Sequence, residues 1–472
     1  MATVVVLGAG MTGLTTAMLL ARDGNRVTVL ERDPAPPGDA VWTAWQRPGV
    51  SQFRHPHLVL PRWHREMEEA LPEVVDELVA SGGRPLNLIA MLPERVRGPL
   101  RDSDRQFDTV TARRPVLEAA VAAVAGRTAG LTVRRGAGVA GVSTGTGELP
   151  GVPHVTGVRL TDGGTVPADL VVDCTGGRSR LGSWLTAVGA RRPAGERDTA
   201  GFVYYARHFR APADRQPAVL TRPLQHYDSL SLLTLPADHG TWAVAIVTSS
   251  ADRRLRALRD PAVWQSVLAR YPLAAHWGST THGAEPITGV DVIAGLQDRS
   301  LRLVVDGDPV ATGLVAVGDA WGTTNPALGR GLSIGLVHAR VLQQLLREVD
   351  PVDAEKLARR FDEVTAAEVE PLHRMTVASD RHRLAELAGD LSGVPYETDD
   401  PGWAMTRALT AAAAVDTDAV RMGTSIGSLL ATPGQLFADP AVAGRIMALG
   451  AGAPRYPMPG PDRAGLLAAM DG

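Results

Sequence analysis

The sequence predicts an α/β fold built on a Rossmann-like dinucleotide-binding sheet, with a β-rich domain and a helical C-terminal region added to it. Three features predict it: a glycine-rich strand–helix–strand pattern at the start, a second strand–glycine–helix pattern near residue 319, and alanine-rich helical sequence after residue 350. The 472 residues exceed what one hydrophobic core usually holds. We therefore expect a discontinuous nucleotide-binding domain (1–185 and 290–350), a β-rich domain (186–289) and a helical region (351–472).

The first sixty residues contain a complete βαβ pattern. The apolar, β-branched run Thr3–Leu7 is typical of a buried parallel strand. The string G-A-G-M-T-G follows at 8–13, then a helical run at 14–22 and a second strand at 26–30. An acid, Glu31, ends that second strand. Strand, glycines, helix and acid in this order predict a dinucleotide site.

Each part of this motif has a physical role. Gly8 permits the tight turn, Gly10 lets the backbone approach a pyrophosphate, and Gly13 lets the helix pack closely on the sheet. The positive end of the helix faces the phosphates, and Glu31 is placed to accept hydrogen bonds from the adenosine ribose. The candidate nucleotide-binding residues here are Gly8, Gly10, Met11, Thr12, Gly13 and Glu31.

A second candidate site lies three hundred residues further on. A buried strand at 314–317 ends in Gly318-Asp319, and the glycine-rich string G-D-A-W-G-T-T-N-P-A-L-G-R-G-L leads into a helix at about 332–347. Asp319 can accept hydrogen bonds from the ribityl chain of a flavin, and amides at the helix start can stabilise charge on its pyrimidine ring. The pattern therefore predicts non-covalently bound FAD. Its candidate contacts are Asp319, Pro326, Gly329, Gly331 and Leu332.

Other motif matches carry less weight. G-A-G-V-A-G recurs at 136–141, but turn-rich sequence follows it, so we interpret it as strand–bend–strand. The hydrolase pattern G-x-S-x-G occurs around Ser143, Ser333 and Ser425 without the strand–elbow–helix setting and triad partners. With 50 glycines in the chain, we interpret these as chance matches.

Three blocks together resemble the p-hydroxybenzoate hydroxylase superfamily of FAD-dependent monooxygenases. They are the N-terminal motif, D-C-T-G-G starting at Asp173, and G-D at Asp319, in the family's order. The resemblance implies a glutathione-reductase-like FAD domain with a β-sheet substrate domain. It also implies that the Asp173 block serves both FAD and NAD(P)H, which explains the lack of a separate nicotinamide motif.

A closer resemblance is to the actinobacterial polyketide and polyether epoxidases, over roughly residues 1–350. It rests on G-V-S-Q-F-R-H-P-H at 49–57, R-P-V-L-E at 114–118 and F-V-Y-Y-A-R-H-F-R at 202–210. Ser51 stands where that family has proline, which leaves the local loop conformation open. By this resemblance Arg114 reaches the FAD, and Gln52 and Arg54 lie near the isoalloxazine and the substrate.

The remaining candidates follow from these patterns. Period-two alternation puts Tyr204 and His208 on one strand face and Tyr205 and Arg207 on the other, and one of the two faces forms the pocket roof. Trp321, a bulky departure after G-D-A, is expected to shape the flavin pocket. Further cofactor candidates are Arg32, Gln52, Arg114, Val139 and Asp173; substrate-pocket candidates are Arg54, His57, Tyr204, Tyr205, Arg207 and Trp321. No catalytic side chain is identified.

The resemblance implies a monooxygenase acting on a polyketide-like or aromatic secondary metabolite. NAD(P)H would reduce FAD, and a flavin hydroperoxide would deliver one oxygen atom in hydroxylation, epoxidation or Baeyer–Villiger insertion. A separate flavin reductase is a candidate partner. The rival is a flavin-dependent reductase or dehydrogenase of a lipid-like substrate, as in geranylgeranyl reductases. A halogenase fits less well, since W-x-W-x-I-P is absent, and a non-catalytic Rab escort-type protein would not need both FAD motifs.

Composition and charge exclude several kinds of partner and chemistry. A net charge of -3 gives no electrostatic reason to expect nucleic acid or an anionic membrane as partner. Lys356 is the only lysine, so lysine-based catalysis is excluded elsewhere, and a lone Cys174 excludes internal disulfides. His55, His57 and His64 lack an accompanying acid cluster, so no metal is expected. With no secretion signal or spanning segment recognised, we expect a cytoplasmic protein.

Overall fold

The computed structural model describes residues 1–199, 201–212, 215–281 and 283–471. Its strands are β1 (Thr3–Leu7), β2 (Arg26–Glu31), β3 (Arg84–Asn87), β4 (Asp108–Thr111), β5 (Leu131–Arg135), β6 (Val139–Gly145), β7 (His154–Leu160), β8 (Thr165–Pro167), β9 (Leu170–Asp173), β10 (Arg197–Thr199), β11 (Phe202–Arg210), β12 (Leu224–His226), β13 (Leu230–Pro236), β14 (Thr241–Ser249), β15 (Glu285–Pro286), β16 (Asp291–Ile293), β17 (Gln297–Ser300), β18 (Val304–Val305), β19 (Asp308–Pro309), β20 (Leu314–Ala316) and β21 (Gly322–Thr323).

Its helices are α1 (Met11–Arg22), α2 (Pro61–Ala70), α3 (Pro72–Ala80), α4 (Glu94–Arg97), α5 (Arg114–Gly126), α6 (Leu181–Ala187), α7 (Pro261–Leu268), α8 (Gly331–Glu348), α9 (Ala354–Glu368), α10 (Glu370–Ser392), α11 (Pro401–Ala412), α12 (Thr417–Gly427), α13 (Pro433–Leu436), α14 (Pro440–Gly450) and α15 (Arg463–Asp471). No described helix combines the length and apolar character that crossing a bilayer requires.

A five-stranded parallel sheet in the order β20-β9-β1-β2-β5 forms the main core. Its strands are short apolar runs, as expected where helices bury both faces, and α1 packs against both α5 and α8. Parallel strands end at one edge, so Gly8, Glu31, Asp173 and Gly318 all follow or close strands at that edge. The predicted Rossmann-like fold class is confirmed.

The second sheet is antiparallel, in the order β12-β13-β14-β11-β15, with β16 also paired to β11. The strands β11, β13 and β14 lie in the region predicted to be β-rich. One face packs on α7 and α15 around Tyr205, Trp264 and Leu466. The opposite face carries Tyr204 and Val247 and meets Leu387 of α10.

The C-terminal region is helical, as predicted, from α9 to α15. Helix α10 lies against the Tyr204 face of the second sheet, and α15 closes its other face. Helices α11, α12 and α14 pack on an apolar cluster that includes Ile89 and Phe107. The smaller sheets β3-β4, β6-β7-β8, β10-β17-β21 and β18-β19 connect these layers.

Candidate active site

The turn after β1 contains three glycines. Backbone atoms lie too close to Gly8 and Gly13 for a side chain, whereas the space beside Gly10 is open. Gly8 has a φ of 95°, and a Cβ there would lie 2.7 Å from the carbonyl oxygen of Cys174. A Cβ at Gly13 would lie 1.9 Å from the carbonyl oxygen of Gly8, so only glycine allows this packing. Around the Cβ position of Gly10, no described atom lies within 4 Å. Open space is therefore left at the positive end of α1, where phosphates bind.

The first turn of α1 brings the two glycine-rich motifs into contact. Met11 is buried in the main core, whereas Thr12 faces the second motif. A Cβ at Gly318 would lie 2.8 Å from Thr12 Cγ2, and one at Gly335 of α8 would lie 2.6 Å from Thr12 Oγ1. Segments three hundred residues apart thus form one continuous surface.

Asp319 lies at the centre of that surface, beside two cations. Burial raises the pKa of Asp319, and the charges of Arg114 and Arg299 oppose that rise. Arg299 donates hydrogen bonds to the carbonyl of Gly176 (3.1 Å) and to that of Asp319 (3.2 Å), which joins the second and third blocks. Among the described residues the Asp319 carboxylate has no hydrogen-bond donor. It is therefore free to accept from the hydroxyls of a bound polyol, and the site fits a flavin's ribityl chain.

The loop between Asp319 and α8 faces the N-terminal part of the chain. Gly329 has a φ of 65°, and a Cβ there would lie 3.7 Å from the carbonyl oxygen of Leu58. Pro326, Gly329, Gly331 and Leu332 all keep partial exposure. The backbone of this loop is thus accessible to a ligand.

A buried ion-pair network joins Glu31 to Arg114. Glu31 accepts a hydrogen bond from the Ala9 amide (2.8 Å) and pairs with Arg47, whose side chain is 3% exposed. Arg47 also pairs with Glu118, and Arg114 Nε lies 2.7 Å from Glu118 Oε1. Although burial disfavours its charge, Glu118 has a pKa held below the usual value by Arg114 and Arg47. The network fixes both predicted nucleotide contacts in place.

Two other predicted cofactor residues lie at the rim. Arg32 is largely exposed, and a Cβ at Gly49 would lie 2.7 Å from an Arg32 terminal nitrogen. Gln52 is half-buried and accepts a hydrogen bond from Ser51 Oγ at 3.1 Å. Arg32 lies against the start of the segment 49–57 and Gln52 lies within it, and neither side chain forms an ion pair with a residue of that segment.

Asp173 and Val139 are placed differently from the other candidates. Asp173 is fully buried, and its carboxylate accepts hydrogen bonds from Thr175 N (2.8 Å), Thr175 Oγ1 (2.6 Å) and Ser179 Oγ. Burial raises the pKa of Asp173, which these hydrogen bonds oppose. The acid thus stabilises its own turn. Val139 opens β6 and is half-buried at the edge of the main core.

An aromatic and cationic cluster lies under the second sheet. The guanidinium groups of Arg54 and Arg113 lie 4.7 and 4.5 Å from the ring centroid of Trp42, and His208 lies 4.9 Å from it. Burial raises the pKa of Asp291, which the charge of Arg54 opposes. One carboxylate oxygen of Asp291 is buried without a partner among the described residues.

The histidines of this region are neutral. Burial lowers the pKa of His55 to about 4, and that of His57 and His208 to about 3. His57 Nδ1 lies 2.9 Å from the His55 carbonyl, while His64 pairs with Glu68 in α2. No described group of three or more His, Cys, Asp or Glu side chains is arranged to hold a metal.

The structure decides which face of β11 borders the site. Tyr204 and His208 face the flavin-site residues, but Tyr205 and Arg207 lie on the opposite face. The Arg207 guanidinium is 5.4 Å from the Trp264 ring centroid, and Trp264 Nε1 donates to the Tyr205 carbonyl at 3.0 Å. Strand alternation turns Tyr205 and Arg207, two of the predicted substrate-pocket candidates, into the core beneath α7, away from Asp319.

The placement of Trp321 also needs correction. Its ring is buried in the main core and meets His338 of α8 and His373 of α10 edge-on, at centroid distances of 5.3 and 5.4 Å. The backbone after Asp319 turns this side chain between two helices. Trp321 thus stabilises the layer behind Asp319 and does not shape the flavin pocket directly.

A buried polar chain connects the sheet to α10. Tyr204 donates to Asn325 Oδ1, and Asn325 Nδ2 donates to Asp380 Oδ1 at 3.1 Å. Burial raises the pKa of Asp380 to about 8 and lowers that of neighbouring Arg330 to about 10. Asp380 Oδ2 is buried and has no partner among the described residues. Asp380 therefore holds a proton at neutral pH, next to the loop that precedes Gly331.

This titration predicts a pH-dependent stability. An acid with a folded-state pKa of about 8, raised from 3.8, stabilises the fold below pH 4, and that contribution is lost as the pH rises towards 8. Asp380→Asn should match the wild type in urea denaturation at pH 4 and exceed it by at least about 1 kcal/mol at pH 9. The exposed Asp399→Asn is the control. Equal pH profiles for wild type and Asp380→Asn would contradict the assignment.

Sequence reasoning missed several residues of the site. Arg47 lies two residues before the 49–57 segment, and this position is the only feature of the sequence that points to a role in the site. Arg299 lies on a short strand without a motif, and Asp380 lies on a C-terminal helix beyond the family resemblance. Asn325 stood inside the third block and directly before Pro326, so a closer interpretation of that block would have included it.

Comparisons with known proteins agree with this geometry. Residues 3–92 match the family model of FAD-dependent oxidoreductases. Protein Rv3254 of Mycobacterium tuberculosis is 28% identical over 400 residues, covering 81% of each chain. PqsL of Pseudomonas aeruginosa, solved in complex with 2-aminobenzoylacetate, is 19% identical with a TM-score of 0.56, over 82% of this chain and 99% of its own. An oxygenase of 2-methyl-3-hydroxypyridine-5-carboxylic acid is 15% identical with a TM-score of 0.56, and the match covers 82% of this chain and 96% of the oxygenase.

These likenesses establish the fold and a coarse class. The chain shares the fold of PqsL and of the pyridine-carboxylic acid oxygenase, which confirms the predicted fold class and the coarse resemblance to FAD-dependent monooxygenases in fold. The coarse class that the family model supports, over residues 3–92, is an FAD-dependent oxidoreductase.

Proposed function

We propose that this chain is an FAD-dependent monooxygenase that uses NAD(P)H and dioxygen to oxygenate a small organic compound of polyketide-like or aromatic character, by hydroxylation or epoxidation. The observation that carries the proposal is the contact of Thr12 with both Gly318 and Gly335. Because of this contact, the open space beside Gly10 and the carboxylate of Asp319, which has no donor among the described residues, lie on adjoining segments. Bound FAD would supply the activation of dioxygen there.

The chain's own residues bind and orient the two ligands. Glu31 and Gly10 would hold the adenosine and pyrophosphate, and Asp319 the ribityl chain. The amides at Gly331 and Leu332, at the positive end of α8, would stabilise negative charge on the pyrimidine ring. The apolar packing of helix α10 on the Tyr204 face of the second sheet would help to exclude water from a flavin bound beside these amides.

The substrate would lie between two groups of side chains. One is the cluster of Trp42, Arg54, Arg113 and His208, and the other is the hydrogen-bonded chain from Tyr204 through Asn325 to Asp380. Neutral His208 and His57 offer hydrogen bonds without adding charge, because their pKa values are about 3. Tyr204 would orient a substrate oxygen. The solved complex of PqsL with 2-aminobenzoylacetate supports an aromatic or acyl substrate of similar size.

The test is purification followed by a flavin spectrum and parallel measurements of NAD(P)H oxidation and oxygen consumption, with and without a panel of aromatic and polyketide compounds. We expect a yellow protein in which substrate accelerates NAD(P)H oxidation and one oxygen atom enters the product from labelled dioxygen. Substrate saturation without oxygen uptake would favour the reductase alternative. A colourless protein would contradict the proposal. Nicotinamide oxidation that depends on an added flavin reductase would place the reductant on a partner protein.

A further inference from the structure

Arg222, in the loop before β12, is a half-buried cation that has no partner among the described residues. It lies deep in the protein yet keeps some accessible surface, as a side chain lining an internal cleft does. Burial lowers the pKa of Arg222, and no carboxylate opposes this. Among the described residues its guanidinium makes no hydrogen bond or ion pair. Such a charge is costly unless an anion binds it.

The cleft around Arg222 is closed by the C-terminal helices. A Cβ at Gly423 of α12 would lie 3.6 Å from Arg222 Nη1, and Leu409 of α11 lies beside it. On β12, His226 has a pKa far below its usual value because of burial and the charges of Arg383 and Arg222. The missing side chain at Gly423 of α12 therefore leaves room for the guanidinium beside this helix.

The walls of this cleft carry excess positive charge. Arg383 pairs with Glu386 at 3.0 Å and donates to the carbonyls of Tyr227 and Leu230 at 2.8 and 2.7 Å, so it is satisfied. Arg330 has only Asp380 nearby, whose pKa of about 8 leaves it mostly protonated at neutral pH. Within the described ranges, no carboxylate lies close enough to Arg222 to oppose the lowering of its pKa.

His226, four residues after Arg222, lies on the same face of the second sheet as Tyr204 of the proposed substrate site. Across the second sheet His226 is opposite Ser231, Ser231 opposite Val247, and Val247 opposite Tyr204, all on one face. Three strand spacings put His226 about 14 Å from Tyr204. Arg330 Nη2 donates to the Ile426 carbonyl (3.2 Å), one turn of α12 after Gly423.

We propose that Arg222 binds the carboxylate of an organic acid substrate and selects acids over their neutral analogues. This rests on the proposed function, because the acid's other end would lie under Tyr204. The same chemistry would suit a phosphate of the nicotinamide nucleotide. Because helices α10 and α12 close the cleft around Arg222, we favour the substrate over the nucleotide phosphate as the bound anion.

The test compares carboxylates with their amides on the FAD-loaded protein. Acetate, benzoate and decanoate, and the matching amides, are titrated while the flavin spectrum and melting temperature are followed. We expect at least one acid to bind more tightly than its amide. In Arg222→Met that acid should bind about 10- to 100-fold more weakly, with amide binding unchanged, and Arg222→Lys should restore most of the affinity. The exposed Arg192→Met is the matched control.

Three results would overturn the proposal. One is that no acid binds better than its amide, and another is that Arg222→Met binds acids like the wild type. The third is a lower melting temperature for unliganded Arg222→Met, since loss of an unpaired buried charge should not destabilise the fold. A raised KM for NADPH with unchanged acid binding would assign the site to the nucleotide phosphate instead. Flavin content and oxygen uptake report the proposed function separately.

Discussion

Replacing Gly10 with alanine is expected to give a folded protein that has lost most of its FAD. The added methyl group meets no described protein atom within 4 Å, so the fold should lose no more than about 1 kcal/mol from the helix start. A dinucleotide pyrophosphate lying against this backbone would meet the methyl group. We expect FAD binding to weaken by about 10- to 100-fold, measured by fluorescence titration of the apoprotein.

Two other glycines give matched controls. Gly444→Ala, inside α14 and also without neighbours at its Cβ position, should keep full FAD and gain about 0.5–1 kcal/mol. Gly13→Ala should fail to fold normally, because its Cβ would lie 1.9 Å from the Gly8 carbonyl oxygen. If Gly10→Ala retained FAD as tightly as Gly444→Ala, the nucleotide would not lie over this turn.

Replacing Arg47 with methionine is expected to destabilise the fold strongly. Glu31 and Glu118 would remain buried without the cation that joins them, a change that typically costs about 3–5 kcal/mol. Urea denaturation at pH 7 measures it. Arg114 alone would then have to hold the charge of Glu118, so the pKa of Glu118 should rise. The loss of stability should therefore be smaller at pH 4, where Glu118 can take a proton.

The control is an arginine in an exposed pair. Arg360→Met removes an ion pair with Glu363 in α9, where both side chains are about half exposed, and should change stability by less than about 0.5 kcal/mol. Equal effects of Arg47→Met and Arg360→Met would mean that the Glu31–Glu118 network contributes little. FAD content of Arg47→Met, measured under conditions where it is folded, then shows whether the network also positions the nucleotide.

The parallel sheet and its glycine turns could be predicted because their physical requirements are local. Thr3–Leu7 is apolar on both faces because helices cover both, and Gly8 and Gly13 are needed for approaches that a Cβ would prevent. The strands of the second sheet could be predicted from alternation. The face that borders the site could not be predicted, because Tyr204 and Tyr205 are equally bulky. Only the packing of α10 on one face and α7 on the other distinguishes the two faces.

The buried polar groups of the site could not be predicted from local sequence. Arg47, Arg299 and Asp380 meet their partners over separations of 16 to 123 residues, and none belongs to a repeating pattern. Trp321 was assigned to the pocket from its position beside Asp319, but the short turn after that acid directs its ring to His338 and His373. Side-chain direction at a turn depends on tertiary packing, which the motif does not contain.

The most direct measurement is the electron density of a crystal of the purified protein grown with FAD. We expect one extended FAD, with its pyrophosphate over Gly10, its ribityl chain at Asp319 and its ring beside the start of α8. Density for FAD elsewhere, or for a different molecule between Gly10 and Asp319, would contradict it.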